Sequence, residues 1–264
     1  MIIQGHFVPA KLGRVFVSQF GDKQGSTAIL CLPSITEELN LARAILAKQC
    51  QAFANKGHPS FIMDYYGSGD SEGEFEDASA NQWLDDVISV GQWLVQQGYK
   101  NIILLGVRVG ALLLATNQEK LHQALPIQAY ILWKPVTNGK LFVNQLIRIK
   151  QANAMMSGEG EKINWRNEIL SGNNTEVAGY LLTAGFIEQL ENLSITHDTQ
   201  WQAPTYWLEL ASSNVSPATK RIVEGVEEIM VHTMTTPAFW QVPEIFDLPE
   251  LTELGLVLLS EIGS

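Results

Sequence analysis

Short apolar runs alternate with longer helical patterns along most of this chain, and this alternation limits the possible folds more than any other feature. Thr27 to Leu32 and Asn101 to Leu105 are almost wholly apolar, as in strands that are buried on both faces of a sheet. Glu37 to Lys56 and Ala80 to Gln97 have the pattern of amphipathic helices, and a glycine follows each of them. This alternation is typical of βαβ units, so it predicts a central, mostly parallel sheet of about eight strands with flanking helices.

The rest of the chain continues this pattern with one interruption. Further strands are predicted at Val15 to Phe20, Ser60 to Met63, Ile127 to Trp133, Thr205 to Leu210 and Glu228 to Met234. Further helices are predicted at Ala111 to Gln118, Pro217 to Glu224 and Leu248 to Ile262. Between two of the strands, residues 135–200 form an insertion that is too long for an ordinary loop. We therefore expect a core of residues 1–134 and 201–264 with a cap at 135–200.

Composition excludes several classes of function. The 264 residues include 17 Lys and Arg against 28 Asp and Glu, which gives a net charge of −11. The sequence contains no basic cluster, and this argues against nucleic-acid binding. The most apolar region, Ile102 to Ala115, is too short to span a membrane. No signal-peptide pattern is evident, which favours a cytoplasmic location. Cys31 and Cys50 are interpreted as reduced packing residues, and no spacing predicts a metal or a cofactor.

Two motifs follow predicted strands, at the positions where open α/β sheets bind their ligands. The first, Asp64 to Ser71, reads DYYGSGDS, and the second, Gly106 to Gly110, reads GVRVG. In the second motif a strand leads through a glycine-flanked turn into a helix, which is the context of a G-x-S-x-G nucleophile elbow. Arg108 stands at the position of the nucleophile.

With these motifs the chain resembles the α/β-hydrolase superfamily over nearly its whole length. More narrowly, it resembles the exosortase A system-associated hydrolase 2 family. The segments behind this narrower resemblance are Glu37 to Asn40 with Arg43, Gly106 to Ala111, Leu132 to Val136, Val177 to Tyr180, and Phe239 with Trp240. The resemblance implies an α/β-hydrolase fold and a role in bacterial exopolysaccharide production and export of sorted surface proteins. It implies no particular substrate.

The chain departs from the superfamily at all three positions of a Ser-Asp-His triad. Arg108 cannot be an acyl-accepting nucleophile, because its guanidinium stays protonated and has no free lone pair. The acid would follow the strand Thr205 to Leu210, but the sequence there is ASSN, and Glu209 lies within the strand. The histidine would follow the last strand, whereas His232 lies inside it. The sequence therefore supports no confident catalytic residue.

Arg108 and Lys134 each have two interpretations. Arg108 either binds an anionic group such as a carboxylate or phosphate, or pairs internally with Glu37 or Glu38. Lys134 follows a strand end and either makes the pocket cationic or is a solvated loop residue.

Other residues are weaker site candidates. Ser34, in the expected oxyanion loop, is a candidate for a displaced nucleophile, with His232 as the remaining candidate base. Asp64 and Ser71 are interpreted as residues that shape the turn after their strand. The full set of expected pocket residues is Ser34, Ile35, Glu37, Glu38, Tyr65, Val109, Lys134 and Trp240.

Two hypotheses for function follow. The first is an acyl ester or thioester hydrolase or transferase with a non-standard active site. The second is a non-catalytic relative that uses the region around Arg108 to bind an anionic ligand or a protein partner. The apolar segments of the expected cap, such as LFVNQLI, fit either the cover of an acyl ligand or a homodimer contact.

Overall fold

The computed structural model describes residues 3–156 and 163–263. Its strands are β1 (Ile3–Pro9), β2 (Arg14–Phe20), β3 (Thr27–Leu32), β4 (Ser60–Met63), β5 (Asn101–Val107), β6 (Ile127–Trp133), β7 (Thr175–Val177), β8 (Tyr180–Leu182), β9 (Thr205–Leu210) and β10 (Ile229–Met234). Its helices are α1 (Glu37–Asn55), α2 (Ala80–Gln96), α3 (Val109–Thr116), α4 (Gln118–Ala124), α5 (Gly139–Met156), α6 (Trp165–Leu170), α7 (Ala184–Glu191), α8 (Pro217–Val223) and α9 (Pro249–Gly263).

Within the described residues, eight strands form the main sheet in the order β1-β2-β4-β3-β5-β6-β9-β10. The β1–β2 and β2–β4 pairs are antiparallel, and all later neighbours are parallel. This arrangement confirms the mostly parallel sheet that the alternation of apolar runs predicts.

The core lies on both faces of this sheet. In β3, Ile29 and Cys31 belong to the apolar cluster that includes residues of α1 and α9, whereas Leu30 and Leu32 belong to the cluster on the other side. Successive strand residues point to opposite faces, so a strand in the middle of a two-sided core must be apolar throughout. Cys31 and Cys50 are buried and free, with their sulfurs 3.5 Å apart, which agrees with packing residues.

Between β6 and β9 the described residues form three helices and the two-stranded β7–β8 sheet. Helix α5 packs on α7, and both contribute apolar residues to the cluster that covers one face of the main sheet. Residues 157–162, part of the expected cap at 135–200, lie outside the described residues. The division into a core and a cap stays a prediction.

Candidate active-site region at the β5–α3 turn

The turn from β5 to α3 consists of a single residue, Arg108, whose backbone has φ 54° and ψ −108°. The two flanking glycines allow this tight turn. A Cβ on Gly106 would lie 2.7 Å from backbone atoms of Ala111, and one on Gly110 would lie 2.5 Å from the carbonyl oxygen of Leu32. The turn is tighter than expected, because β5 continues through Val107 and the helix begins at Val109 rather than at Ala111.

The Arg108 side chain is buried in an ion pair with Glu38. Its Nε lies 3.2 and 3.3 Å from the two carboxylate oxygens of Glu38, and its Nη2 lies 3.1 Å from one of them. Its Nη1 donates to the carbonyl oxygen of Lys134 at 3.2 Å, and the guanidinium lies 5.1 Å from the centre of the Trp240 ring. The structure therefore contains the internal ion pair, which was one of the two interpretations of Arg108. The partner of Arg108 is Glu38 rather than Glu37.

Ser34 is fully buried beside this pair. Its hydroxyl donates to Oε2 of Glu38 at 2.7 Å. The backbone N–H of Val109, the first residue of α3, approaches the same hydroxyl oxygen at 3.5 Å. Ser34 thus connects the loop after β3, the start of α1 and the start of α3. The neighbouring Ile35 is buried in the apolar core.

His232 lies far from Ser34 in the sheet. It is in β10, four strand spacings from β3, which corresponds to about 19 Å. Its ring stacks on Tyr206 of the adjacent strand at 6.4 Å between centroids. The structure therefore does not bring together the two candidate catalytic residues. The loop that follows β10 instead places Trp240 against Arg108.

Lys134 is neither a free cation of a pocket nor a solvated loop residue. Its ammonium lies 2.5 Å from Oε1 of Glu209, whose side chain is 4% exposed. The other carboxylate oxygen of Glu209 accepts from the indole of Trp207 and the hydroxyl of Thr219, each at 3.1 Å. Both carboxylate oxygens of Glu209 therefore accept a hydrogen bond. Through Lys134 and Thr219, Glu209 of β9 is linked to the end of β6 and to α8.

The Asp64 to Ser71 segment is a structural turn, as expected. The hydroxyl of Ser71 donates to the Asp64 carbonyl oxygen at 2.7 Å, and the N–H of Asp70 donates to the Asp64 carboxylate at 3.1 Å. That carboxylate also pairs with Arg43. Burial raises the pKa of Asp64 above its usual range, although Arg43 opposes the shift.

Tyr65 also serves this turn rather than a pocket. Its ring is buried, and its hydroxyl donates to the carbonyl oxygen of Pro33 at 2.9 Å. Burial raises the pKa of this phenol well above its ordinary value. A neutral, hydrogen-bonded Tyr65 fixes the loop that carries Ser34.

Two cavities adjoin the Arg108–Glu38 pair, because Glu38 lines one and Arg108 lines the other. The larger of the two, about 360 Å³, is lined by Glu37, Glu38, Arg148 and an apolar wall. The apolar wall consists of Leu41, Phe142, Leu146, Ile149 and Trp240. The smaller, about 160 Å³, is lined by Arg108 and by uncharged polar side chains that include Thr137, Asn138 and Gln145. Phe142 and Gln145 of α5 line both cavities, so the two spaces are neighbours on this helix.

Sequence reasoning missed the contributions of α5 to these cavities. Phe142 and Leu146 are four residues apart, so the helical spacing places both on one face of the helix. The pattern LFVNQLI indicated an apolar helix face, but it did not indicate which part of the sheet that face would cover.

Among the described residues, no group of three or more His, Cys, Asp or Glu is arranged to hold a metal ion. No helix in the described ranges is long and apolar enough to cross a membrane.

Neither a family model nor a curated protein matches the chain in sequence. Solved structures do resemble it. An esterase from Exiguobacterium antarcticum is 18% identical with a TM-score of 0.64, over 99% of this chain and 100% of that one. Est1E from Butyrivibrio proteoclasticus, solved with ferulic acid bound, is 13% identical with a TM-score of 0.67, over 98% and 100%. Mouse alpha/beta hydrolase domain-containing protein 10 is 15% identical with a TM-score of 0.62, over 99% and 100%.

The chain has the α/β-hydrolase fold. In enzymes of this fold the residue at the elbow is the nucleophile, and the N–H of the following residue helps to form the oxyanion hole. The β5–α3 turn has the same strand–turn–helix form, and Arg108 is its single residue. The N–H of Val109, the next residue, faces the hydroxyl of Ser34.

Proposed function

We propose that this chain is a non-catalytic α/β-hydrolase-fold protein that binds a ligand beside Arg108. The observation that carries the proposal is the Arg108–Glu38–Ser34 cluster, in which the protein's own side chains occupy the nucleophile and oxyanion positions. A substrate carbonyl would have to displace the fully buried Ser34 to reach the N–H of Val109.

The chemistry of the cluster supports binding rather than acyl transfer. A guanidinium donates hydrogen bonds and has no lone pair with which to attack a carbonyl carbon. Acyl transfer by a serine in this fold also needs an imidazole that accepts the serine proton and returns it to the leaving group. His232, the candidate base, stacks on Tyr206 in the sheet. Its strand, β10, lies about 19 Å from β3, the strand that leads to Ser34.

A second candidate function is an acyl ester or thioester hydrolase that uses Ser34 as a displaced nucleophile. The 2.7 Å hydrogen bond from Ser34 to Glu38 favours it, because a carboxylate at that distance is placed to accept the serine proton. Against it, both carboxylate oxygens of Glu38 already accept hydrogen bonds from the Arg108 guanidinium.

A hydrolysis assay separates these two functions. The wild type, Ser34→Ala and Arg108→Ala would be incubated with acyl esters and acyl thioesters of increasing chain length. We expect no turnover above the uncatalysed rate in any of the three proteins. Turnover by the wild type that disappears in Ser34→Ala, with folding intact, would overturn the binding function and establish Ser34 as the nucleophile.

The biological setting is a separate proposal. We place the protein in the cytoplasm of a bacterium that produces exopolysaccharide, on the motifs that resemble the exosortase A-associated hydrolase 2 family. The order of genes around its own tests this placement. Neighbouring exosortase and polysaccharide-export genes would support it, and a setting without either would contradict it.

A protein partner, or a second copy of the chain, is an additional proposal. It rests on apolar side chains of α5 and α6 that are exposed, among them Leu141 and Leu170. Light scattering of the purified protein tests for a homodimer. A monomeric mass over the whole concentration range would remove that alternative.

A further inference from the structure

Arg108 is nine-tenths buried, yet its hydrogen-bonding capacity is not used up. A guanidinium carries five N–H groups. Glu38 accepts from Nε and from one N–H of Nη2, and the carbonyl oxygen of Lys134 accepts from one N–H of Nη1. Two N–H groups, one on each terminal nitrogen, therefore have no acceptor among the described residues. A buried N–H group without an acceptor destabilises the folded protein, because it has lost its hydrogen bonds to water. A ligand that supplies acceptors at this place therefore binds favourably.

The smaller cavity is where such an acceptor fits. Arg108 lines it together with Thr137, Asn138 and Gln145, and no acidic side chain of the described residues contributes to its lining. The lining of the larger cavity, by contrast, includes the carboxylates of Glu37 and Glu38 and a single cation, Arg148, so acidic groups outnumber basic ones there. The charges of the two linings therefore favour an anionic head in the smaller cavity beside Arg108.

The larger cavity is suited to the rest of the ligand. Its apolar wall and its volume of about 360 Å³ match a compact apolar group, since small-molecule sites begin at about 300 Å³. A molecule that occupies both cavities would contact Phe142 and Gln145, which line both of them. The apolar group would then contact Leu41, Leu146 and the face of Trp240 on the side of α5.

We propose that the ligand is a compact monocarboxylic acid, with its carboxylate on the two remaining N–H groups of Arg108 and its apolar tail against α5 and Trp240. A carboxylate has two oxygens for the two nitrogens, and charge-assisted hydrogen bonds are about twice as strong as neutral ones. A dianionic phosphate is less suitable, because the charge of Arg108 is already shared with Glu38. This inference deepens the proposed binding function and rests on it.

Calorimetric titration with octanoate, octan-1-ol, octylamine and methyl octanoate tests the proposal on the intact protein. We expect octanoate to bind about tenfold or more tightly than each of the other three, because only octanoate supplies a carboxylate. Equal affinity for octanoate and methyl octanoate overturns the carboxylate assignment, and so does the absence of octanoate binding at about 1 mM. Hydrolysis of methyl octanoate in the same samples would instead overturn the non-catalytic function, so the two failures are distinguishable.

Variants locate the site. Arg108→Gln combined with Glu38→Gln removes both charges together, so that neither partner is left buried alone, and it should weaken octanoate about tenfold or more. Arg221→Gln, which removes an exposed arginine that lines neither cavity, is the matched control and should leave octanoate affinity unchanged. A loss in Arg148→Gln without a loss in the double variant would overturn the proposed orientation, because Arg148 lines the larger cavity.

A third variant tests whether the apolar tail of the ligand lies in the larger cavity. Leu41→Trp narrows the larger cavity and should weaken octanoate while leaving the ratio between octanoate and octan-1-ol unchanged, since both carry the same chain. Unchanged octanoate affinity in Leu41→Trp would contradict the tail position. Thermal unfolding of each variant shows that it is folded before its affinity is interpreted.

Discussion

Two buried ion pairs lie at the carboxyl edge of the sheet, and they differ in what surrounds them. Glu209 accepts donors from Lys134, Trp207 and Thr219, so its carboxylate is fully used by the protein. In the other pair Glu38 is also fully engaged, by Ser34 and Arg108, but the arginine lines a cavity and keeps two unused donors.

The difference separates a purely structural pair from one that can also serve a ligand. The cation of each pair follows directly after a strand, β5 for Arg108 and β6 for Lys134, at the edge where α/β sheets bind ligands. Burial and ion pairing alone therefore do not distinguish the cation that we propose binds a ligand. The cavity and the remaining N–H groups do, and the comparison can be tested on each pair separately.

The largest expected effect is on stability, at the fully satisfied pair. Glu209→Leu leaves Lys134 and two hydrogen-bond donors without their acceptor, and breaking a buried pair on one side costs about 3–5 kcal/mol. Denaturant unfolding measures this loss. Glu227→Leu, at an exposed glutamate, is the control and should change the free energy of unfolding by less than about 0.5 kcal/mol. A similar small effect of Glu209→Leu would refute the structural role of the pair.

The second expected effect is a coupling between Arg108 and Glu38 in the free energy of unfolding. Arg108→Met and Glu38→Leu should each cost about 3 kcal/mol, because each leaves a charge in a largely buried place. The double variant should cost less than the sum of the two by roughly 2 kcal/mol. Additive losses in the same denaturant experiment would show that the two side chains do not stabilise one another.

A third carboxylate, Asp86, shows what happens when hydrogen bonds replace a cation. It accepts from the N–H of Tyr66 and from Gln82, and burial raises its pKa to about 6 from the ordinary 3.8. The unfolded chain therefore loses this proton at lower pH than the folded protein does. The contribution of Asp86 to stability is full below pH 3.8, falls between pH 3.8 and about 6, and stays low above that.

Asp86→Asn isolates this contribution, since the amide does not titrate. Between pH 4 and pH 7 the free energy of unfolding of the wild type should fall by about 2–3 kcal/mol relative to that of Asp86→Asn. Parallel curves for the two proteins over this range would show that Asp86 titrates normally in the folded state.

The smallest expected effect concerns catalysis. Arg108→Ser restores a hydroxyl at the elbow, but Trp240 rather than a histidine contacts residue 108 from the loop after β10. We therefore expect ester hydrolysis to stay at the uncatalysed rate in Arg108→Ser. A measurable gain that depends on the new serine would show that a general base is within reach.

The strands of the sheet centre were predictable because their sequence is constrained on two faces. The predicted bounds of β3, β4, β6 and β9 coincide with the observed ones, since each is a run of apolar residues between turn residues. The edge strand β1 was not predicted, because most of it is exposed and its pattern is not apolar. The three-residue strands β7 and β8 are too short to produce a periodic signal.

The site was predictable only where chain order determines neighbours. The loop after β3 was expected near the elbow, and this predicted an Arg108 pair with Glu37 or Glu38. The pairing of Lys134 with Glu209 was not predicted, because their strands, β6 and β9, become neighbours only after a long insertion. Sequence alone does not reveal the register that places the two residues at the same level.

The backbone at residue 108 is determined by Gly106 and Gly110 rather than by the arginine itself. The turn is therefore a fixed attachment point for whichever side chain an experimenter chooses. Arg108→Cys would place a thiol at the smaller cavity, while the native thiols Cys31 and Cys50 stay buried and unreactive. A fluorophore attached there would sense the local polarity and report the filling of the cavities directly.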